Sequence, residues 1–294
     1  MKNCIKVLII ALIVQLFGQI LAPNTAQAQV VEVGGTVGLS YYMGDLNPKM
    51  PFISSSLGWG VLARYYEGTR WAFRLTYSNL QVNGSDKDSG YRPERGLSFN
   101  TKVHDFAAVA EFNFLDYFTG SRRSGLSPYL FGGVSVFAFN PKADDGTELC
   151  NVLTDVDYDQ RIPNDGTDKY SKISMSLPFG VGVKYSMGQK LGVALEWRWD
   201  YTFTDWIDDC HAYYPTYKAD AQNVLPTYAT YSDPTGFTGV VDPTGIVGNE
   251  MEYIQRGNKA DNDWFGYLNF SLTYKFVLPG GKDCNKREKY KKFD

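Results

Sequence analysis

Leu191-Gly192-Val193-Ala194-Leu195-Glu196-Trp197-Arg198-Trp199-Asp200-Tyr201-Thr202-Phe203-Thr204 alternates between two kinds of residue without a break. Leu, Val, Leu, Trp, Trp, Tyr and Phe fall on one face of an extended chain. Gly, Ala, Glu, Arg, Asp, Thr and Thr fall on the other. Successive side chains of a strand point to opposite faces, whereas a helix would mix the two sets. The apolar face is long and carries Trp and Tyr towards one end. That suits a strand crossing a bilayer, which needs about 9–11 tilted residues with interfacial aromatics.

The same pattern recurs along the chain. Val31 to Met43 puts Val31, Val33, Val37, Leu39 and Tyr41 on one face and Glu32, Thr36 and Ser40 on the other. Leu57 to Tyr65 sets Leu57, Trp59 and Val61 against Arg64, and Trp71 to Ser78 sets Trp71, Phe73, Leu75 and Tyr77 against Arg74. The fourth segment has Phe106, Phe112 and Phe114 opposite Asp105 and Glu111. The fifth, Tyr129 to Phe139, is apolar on both faces, so its parity is open. The sixth has Ile173 to Tyr185 outward, with Ser174, Ser176 and Lys184 inward, and the eighth sets Trp264 to Phe276 against Tyr267 to Lys275.

The eight segments predict an all-β fold, an eight-stranded antiparallel up-and-down transmembrane β-barrel with long extracellular loops. An even strand number puts both ends of the chain on one side. The links after segments 2, 4 and 6 are the shorter set, and those after 3, 5 and 7 are long. Short turns face the periplasm and long loops face outward in such barrels. One polar loop of about 20 residues is expected to run through Asp86, Asp88 and Arg95. A soluble sandwich predicts no such alternation of links.

Residues 1–28 read as a signal peptide. Lys2 and Lys6 precede an interrupted apolar run, and Ala26-Gln27-Ala28 fits the small-x-small cleavage rule. The barrel then occupies 29–278, and a basic tail occupies 279–294. No later segment approaches the roughly 20 apolar residues of a spanning helix. The 21 Tyr, 18 Phe and 6 Trp suit interfacial belts, and a net charge of −3 gives no sign of nucleic acid.

An eight-stranded barrel is filled by side chains. The polar faces therefore become its core, and they carry Glu32, Arg64, Arg74, Asp105, Glu111, Lys184, Glu196, Arg198, Asp200 and Lys275. Acids and bases balance, as a plugged interior requires, because an unpaired buried charge is costly. Glu32 and Lys275 lie on the strands that close the barrel and are expected to meet near the periplasmic rim.

After cleavage Cys150, Cys210 and Cys284 remain, an odd number. Cys150 and Cys210 fall in outer loops and are expected to form a disulfide, as an oxidising compartment allows. Cys284 falls on the other side. The tail, with Lys286, Arg287, Lys289, Lys291 and Lys292, is a solvated end or a periplasmic docking segment for an acidic partner.

Three motifs invite a chemical reading. Asp86-x-Asp88 and Asp209-Cys210-His211 are like the acid pair and Asp–His pair of the omptin surface proteases, although those have ten strands. His104 reads as an interfacial residue. Asp155-x-Asp157-x-Asp159 opens like a calcium loop, but Gln160 and Gly166 replace the required Gly and Glu. There is no P-loop, dinucleotide fingerprint or zinc spacing. No catalytic residue, cofactor, metal or small-molecule substrate is expected.

Four stretches resemble the PorG-like outer-membrane proteins of the Bacteroidota type IX secretion system. They are Tyr41-Tyr42-Met43-Gly44-Asp45-Leu46-Asn47-Pro48, Pro128 to Gly133 with Phe139 to Ala143, Pro178 to Tyr185, and Thr202-Phe203-Thr204-Asp205-Trp206-Ile207-Asp208-Asp209. The resemblance implies a non-enzymatic outer-membrane component of that machinery, seated in outer-membrane lipids. It would anchor a periplasmic ring of PorK- and PorN-like lipoproteins. A generic small barrel, stabilising the envelope or binding ligands through its loops, is the alternative.

Overall fold

The computed structural model describes residues 30–121, 125–149, 170–211, 231–235, 255–258 and 260–277. The proposed signal peptide and the basic tail lie outside them, as do Cys150, Cys284 and the acidic run at Asp155–Asp159. Eight strands close into one antiparallel barrel in sequence order: β1 (Val30–Met43), β2 (Ser56–Glu67), β3 (Trp71–Ser85), β4 (Ser98–Asn113), β5 (Leu126–Lys142), β6 (Ile173–Met187), β7 (Leu191–Thr202) and β8 (Trp264–Val277). β1 closes on β8 in a continuous register from Val30↔Val277 to Met43↔Trp264. No sheet edge remains unpaired, which is the condition for a sheet to sit in lipid.

The barrel is apolar outside and polar inside over one part of its height. Leu57, Leu75, Phe106, Ile173, Leu195 and Phe276 all stand half-exposed or more on the outer wall. In water such a belt would be an aggregation surface, but in hydrocarbon it costs nothing. Rings collect near its two borders. Trp71 packs on Phe112 with centroids 5.1 Å apart at one end, and Tyr77 packs on Phe106 at 4.8 Å towards the other.

β5, whose parity is open in the sequence, is settled by its neighbour. Tyr129 and Phe131 point inward because they sit opposite Gly182 and Gly180 of β6. A Cβ at Gly182 would lie 2.6 Å from the Tyr129 ring, so a large side chain on one strand fills the space left by the other.

The expected polar loop after β3 is mostly strand. β3 continues to Ser85, the chain turns through α1 (Asp86–Ser89), and β4 starts at Ser98. Parity is unchanged, but the chemistry of the two faces swaps. Inward positions become Leu80, Val82, Phe99, Val103, Phe137 and Phe139, all buried. Outward positions become Asn79, Gln81, Asn100, Lys102, Asn140 and Lys142. The swap falls at matched register, between Tyr77↔Phe106 and Asn79↔His104. Below it the outer face meets lipid, and above it water. The extended ribbon encloses a second, apolar core with Tyr42, Leu46, Ile207, Cys210, Phe265 and Tyr267.

Candidate functional site

Two polar assemblies stand out, one inside the barrel and one in the loops above it. All ten charged residues named from the sequence are buried in the interior. Glu111 is the hub of the first group. Its carboxylate takes ion pairs from Arg64 Nε and Arg74 Nε, each at 2.9 Å, and from Lys184 Nζ. Arg64 continues to Glu32 at 2.9 Å, and Arg74 to Glu196 at 2.6 Å. Tyrosines close the ends of the chain. Tyr66 donates to Glu32 at 3.2 Å and Tyr129 donates to Glu196 at 2.7 Å. The Lys184 ammonium also lies 4.2 Å from the centroid of the Tyr129 ring. A second group stands nearer the long loops. There Arg198 Nη2 bridges Asp105 and Asp200, each at 2.7 Å, and Ser176 donates to Asp200 at 2.9 Å.

Glu32 and Lys275 face each other across the β1–β8 seam, and both point inward. Thr119 joins them: its hydroxyl donates to Glu32, and its carbonyl accepts Lys275 Nζ at 2.7 Å. Thr119 arrives from the β4–β5 link, which folds back into the mouth of the barrel. Tyr117 and Phe118 of that link are buried against Val30, Tyr66 and Ala72. Reading the sequence missed this stopper. Its aromatic residues sit in a turn, where alternation carries no information.

The second assembly is a cap of buried acids. Tyr42 has one hydroxyl proton but touches two carboxyls, Asp208 Oδ2 at 2.5 Å and Asp263 Oδ1 at 2.8 Å. One of those bonds must draw its proton from an acid. Burial and the neighbouring carboxyls push Asp208 and Asp263 well above the usual carboxylate range. Asp205 is pushed up to about 9 by burial, with Asp45 and Asp261 adding to it, and it shares a proton with His211 Nδ1 at 2.6 Å. Backbone N–H groups hold the acids in place. Ile207 donates to Asp263 at 2.9 Å, Cys210 to Asp208 at 2.8 Å, and Asn258 to Asp45 at 2.8 Å. Arg95 crosses the cap, pairing with Asp86 and donating to the carbonyls of Asp45 at 3.0 Å and Arg256 at 2.5 Å.

Cys150, the expected disulfide partner of Cys210, lies outside the described residues. Cys210 is a free thiol, fully buried, donating to the Arg256 carbonyl at 3.3 Å. The loop packs it into the apolar core, away from solvent. Burial also pushes its thiol well above its ordinary range, which removes thiolate reactivity. The omptin-like arrangement is not assembled. Asp86 is buried and ion-paired while Asp88 is exposed. His211 pairs with Asp205, and Asp209 accepts from Tyr170 at 2.8 Å. Asp45, Asp208 and Cys210 bring ligand atoms within 4.8 Å of one another. Within the cap, Asp208 accepts from Tyr42 and the Cys210 N–H, Asp45 accepts from the Asn258 N–H, and the Cys210 thiol donates to the Arg256 carbonyl.

No curated protein matches the chain. Residues 9–238 match the family described as Domain of unknown function (DUF6089). Solved structures similar to the chain include Neisserial surface protein A, at 13% identity, covering 86% of this chain and 100% of that one with a TM-score of 0.41. Another is the outer membrane protein OprG from Pseudomonas aeruginosa, at 11% identity, 87% and 99% coverage and a TM-score of 0.40. A third is Ail, the attachment invasion locus protein of Yersinia pestis, solved with the heparin analogue sucrose octasulfate. It has 9% identity, 85% and 99% coverage and a TM-score of 0.37. These likenesses concern the fold alone.

Proposed function

The chain belongs to the family described as Domain of unknown function (DUF6089), and from that premise we propose that it is a non-enzymatic small barrel of a Gram-negative outer membrane, closed to passage, that presents its loop cap outward. The observation that carries this reading is the inversion of polarity: an apolar outer wall around a charge-balanced, plugged interior. The short links at 68–70 and 188–190 and both ends of the barrel then face the periplasm, and the long links face outward. The role is to stabilise the envelope or to bind ligands through the cap.

Cysteine labelling on intact cells tests this placement, in a background with Cys150→Ser and Cys284→Ser. Lys87→Cys in α1 should react with an impermeant maleimide directly. Gln189→Cys in the β6–β7 turn should react only after the outer membrane is opened. Reversed labelling rejects the orientation, and a chain recovered in the soluble fraction rejects the membrane reading altogether.

A narrower reading rests on the PorG-like stretches. Two of them, Tyr41–Pro48 and Thr202–Asp209, supply Tyr42, Asp45, Asp205 and Asp208 to the cap. On this reading the barrel is an outer-membrane component of type IX secretion that anchors PorK- and PorN-like ring lipoproteins. Lys286, Arg287, Lys289, Lys291 and Lys292 would form the periplasmic docking segment. Affinity purification of the full chain should then recover ring lipoproteins, and Gln at those five positions should release them. A full chain that recovers none, in a strain whose secreted cargo is unchanged by its deletion, removes this reading and leaves the broader one standing.

A further inference from the structure

The outer wall of the extended ribbon carries a basic groove of about 660 Å³. Lys102 and His104 of β4 line it, together with Lys142 of β5 and Lys172 just before β6. The strand registers make them neighbours. Lys102 pairs with Asn140 and Asn100 with Lys142 across β4–β5. The Phe139 N–H donates to the Lys172 carbonyl at 2.9 Å, which brings that lysine alongside β5. Glu148 partly neutralises the groove, lying 2.9 Å from Lys172 and 3.8 Å from Lys142. Asp144, also on the lining, accepts from Ser98 at 2.8 Å. Lys102 is exposed and forms no ion pair among the described residues.

The height of the groove is its informative feature. His104, Ala138 and Ile173 on its floor are each followed, two residues nearer the membrane on the same outward face, by Phe106, Val136 and Met175. Those three line a second groove, almost wholly apolar and about 640 Å³ in volume, which runs down the lipid-facing wall over the small side chains of Ala63 and Ala108. Tyr77 belongs to the lower groove, and its ring stacks on His104 in the upper one at 6.4 Å between centroids. A cationic recess thus sits directly above an apolar channel, and the change from one to the other coincides with the water–lipid border set by the strand registers. A water-borne anion would need only the upper half. A protein partner would not require a channel that opens into hydrocarbon.

We propose that the two grooves together bind one phosphorylated lipid of the outer leaflet, the headgroup held by Lys102, Lys142 and Lys172 and the acyl chains laid along Ala63 and Ala108. This deepens the outer-membrane reading and rests on it. Lysines close to a membrane surface attract anionic headgroups. The apolar channel adds contact area that holds the chains in place.

The full-length protein in detergent, titrated with a diphosphorylated lipid A and followed by native mass spectrometry, tests the site. Wild type should retain one lipid through detergent exchange. The triple variant Lys102→Gln/Lys142→Gln/Lys172→Gln should lose affinity by at least about tenfold. Ala108→Phe, which fills the channel on a lipid-exposed face, should also weaken binding. Lys190→Gln, at the other end of the barrel, should not. Unchanged heat-modifiability on gels shows that each variant is folded. Equal retention by the triple variant overturns the proposal, as does equal retention of the dephosphorylated lipid. Displacement of the lipid by millimolar inorganic phosphate overturns the acyl-chain half and leaves a simple anion recess. A chain that labels as an outer-membrane protein but retains no phosphorylated lipid rejects the grooves while leaving the membrane reading intact.

Discussion

Glu111 is fully buried and meets three cations, so removing its charge leaves a surplus of positive charge in the barrel. Breaking a buried pair by deleting one partner costs about 3–5 kcal/mol. Glu111→Gln should lower the unfolding free energy of the lipid-refolded barrel by an amount in that range, read as a fall in the urea midpoint of tryptophan fluorescence. Adding Lys184→Met should recover part of the loss, because it removes one of the stranded cations, and the two changes should not add. An unchanged midpoint in Glu111→Gln would show that the network is not what holds the interior. The ten charged positions were legible from strand parity alone. Their pairing was not. Arg64 and Arg74 are register partners on adjacent strands, like charges side by side, and only the reach of Glu111 from β4 and Glu196 from β7 makes the arrangement favourable.

The cap is a distinct element built from four separate pieces of chain, around Tyr42–Asp45, Asp86–Arg95, Asp205–His211 and Arg256–Asp263, and its acids make it sensitive to pH. Asp205, Asp208 and Asp263 titrate at about 3.8 when exposed and higher in the closed cap, Asp205 at about 9. Between those values the closed cap binds more protons than the open one. Its stability is therefore greatest in acid and falls as pH rises through the window, levelling off above the closed-cap values. Hydrogen exchange of the Ile207 and Cys210 amides, corrected for intrinsic rate, should show less protection at about pH 9 than at about pH 6. Protection that grows with pH would reverse the sign and reject the proton-sharing account. Gly44 offers a second test. A Cβ there would stand 2.1 Å from both the Tyr42 hydroxyl and Asp263 Oδ1. Gly44→Ala should open the cap to trypsin at Arg95 and Arg256 while the heat-modifiable barrel persists. Local sequence singled out Asp86 and Asp209-Cys210-His211 but gave no warning that Tyr42 and backbone amides would gather Asp208 and Asp263 into one buried cap.

At the scale of the whole molecule, the described residues fill the barrel interior and the Tyr117–Phe118 stopper packs into its mouth, the arrangement of a plugged barrel. The purified protein in planar bilayers should show no stepwise conductance, and porin-like steps would contradict the plugged reading. The alternation from Leu191 to Thr204 and its counterparts determined strand number, closure and, for every strand but β5, which residues face inward. A two-residue period leaves no freedom once one face must meet lipid. Turn chemistry likewise marked the tight links at 68–70 and 188–190, whereas the β4–β5 link is as long as the one between β3 and β4. The tertiary structure alone decided the rest. It decided where the bilayer ends, because the same parity serves an apolar outer face below Tyr77–Phe106 and an apolar inner face above it. It decided the parity of β5, which depends on glycines of the neighbouring strand. It decided that Cys210 is a buried thiol and that the acids of the cap share protons. Each of these depends on residues far apart in the chain, and no local period encodes which of them will meet.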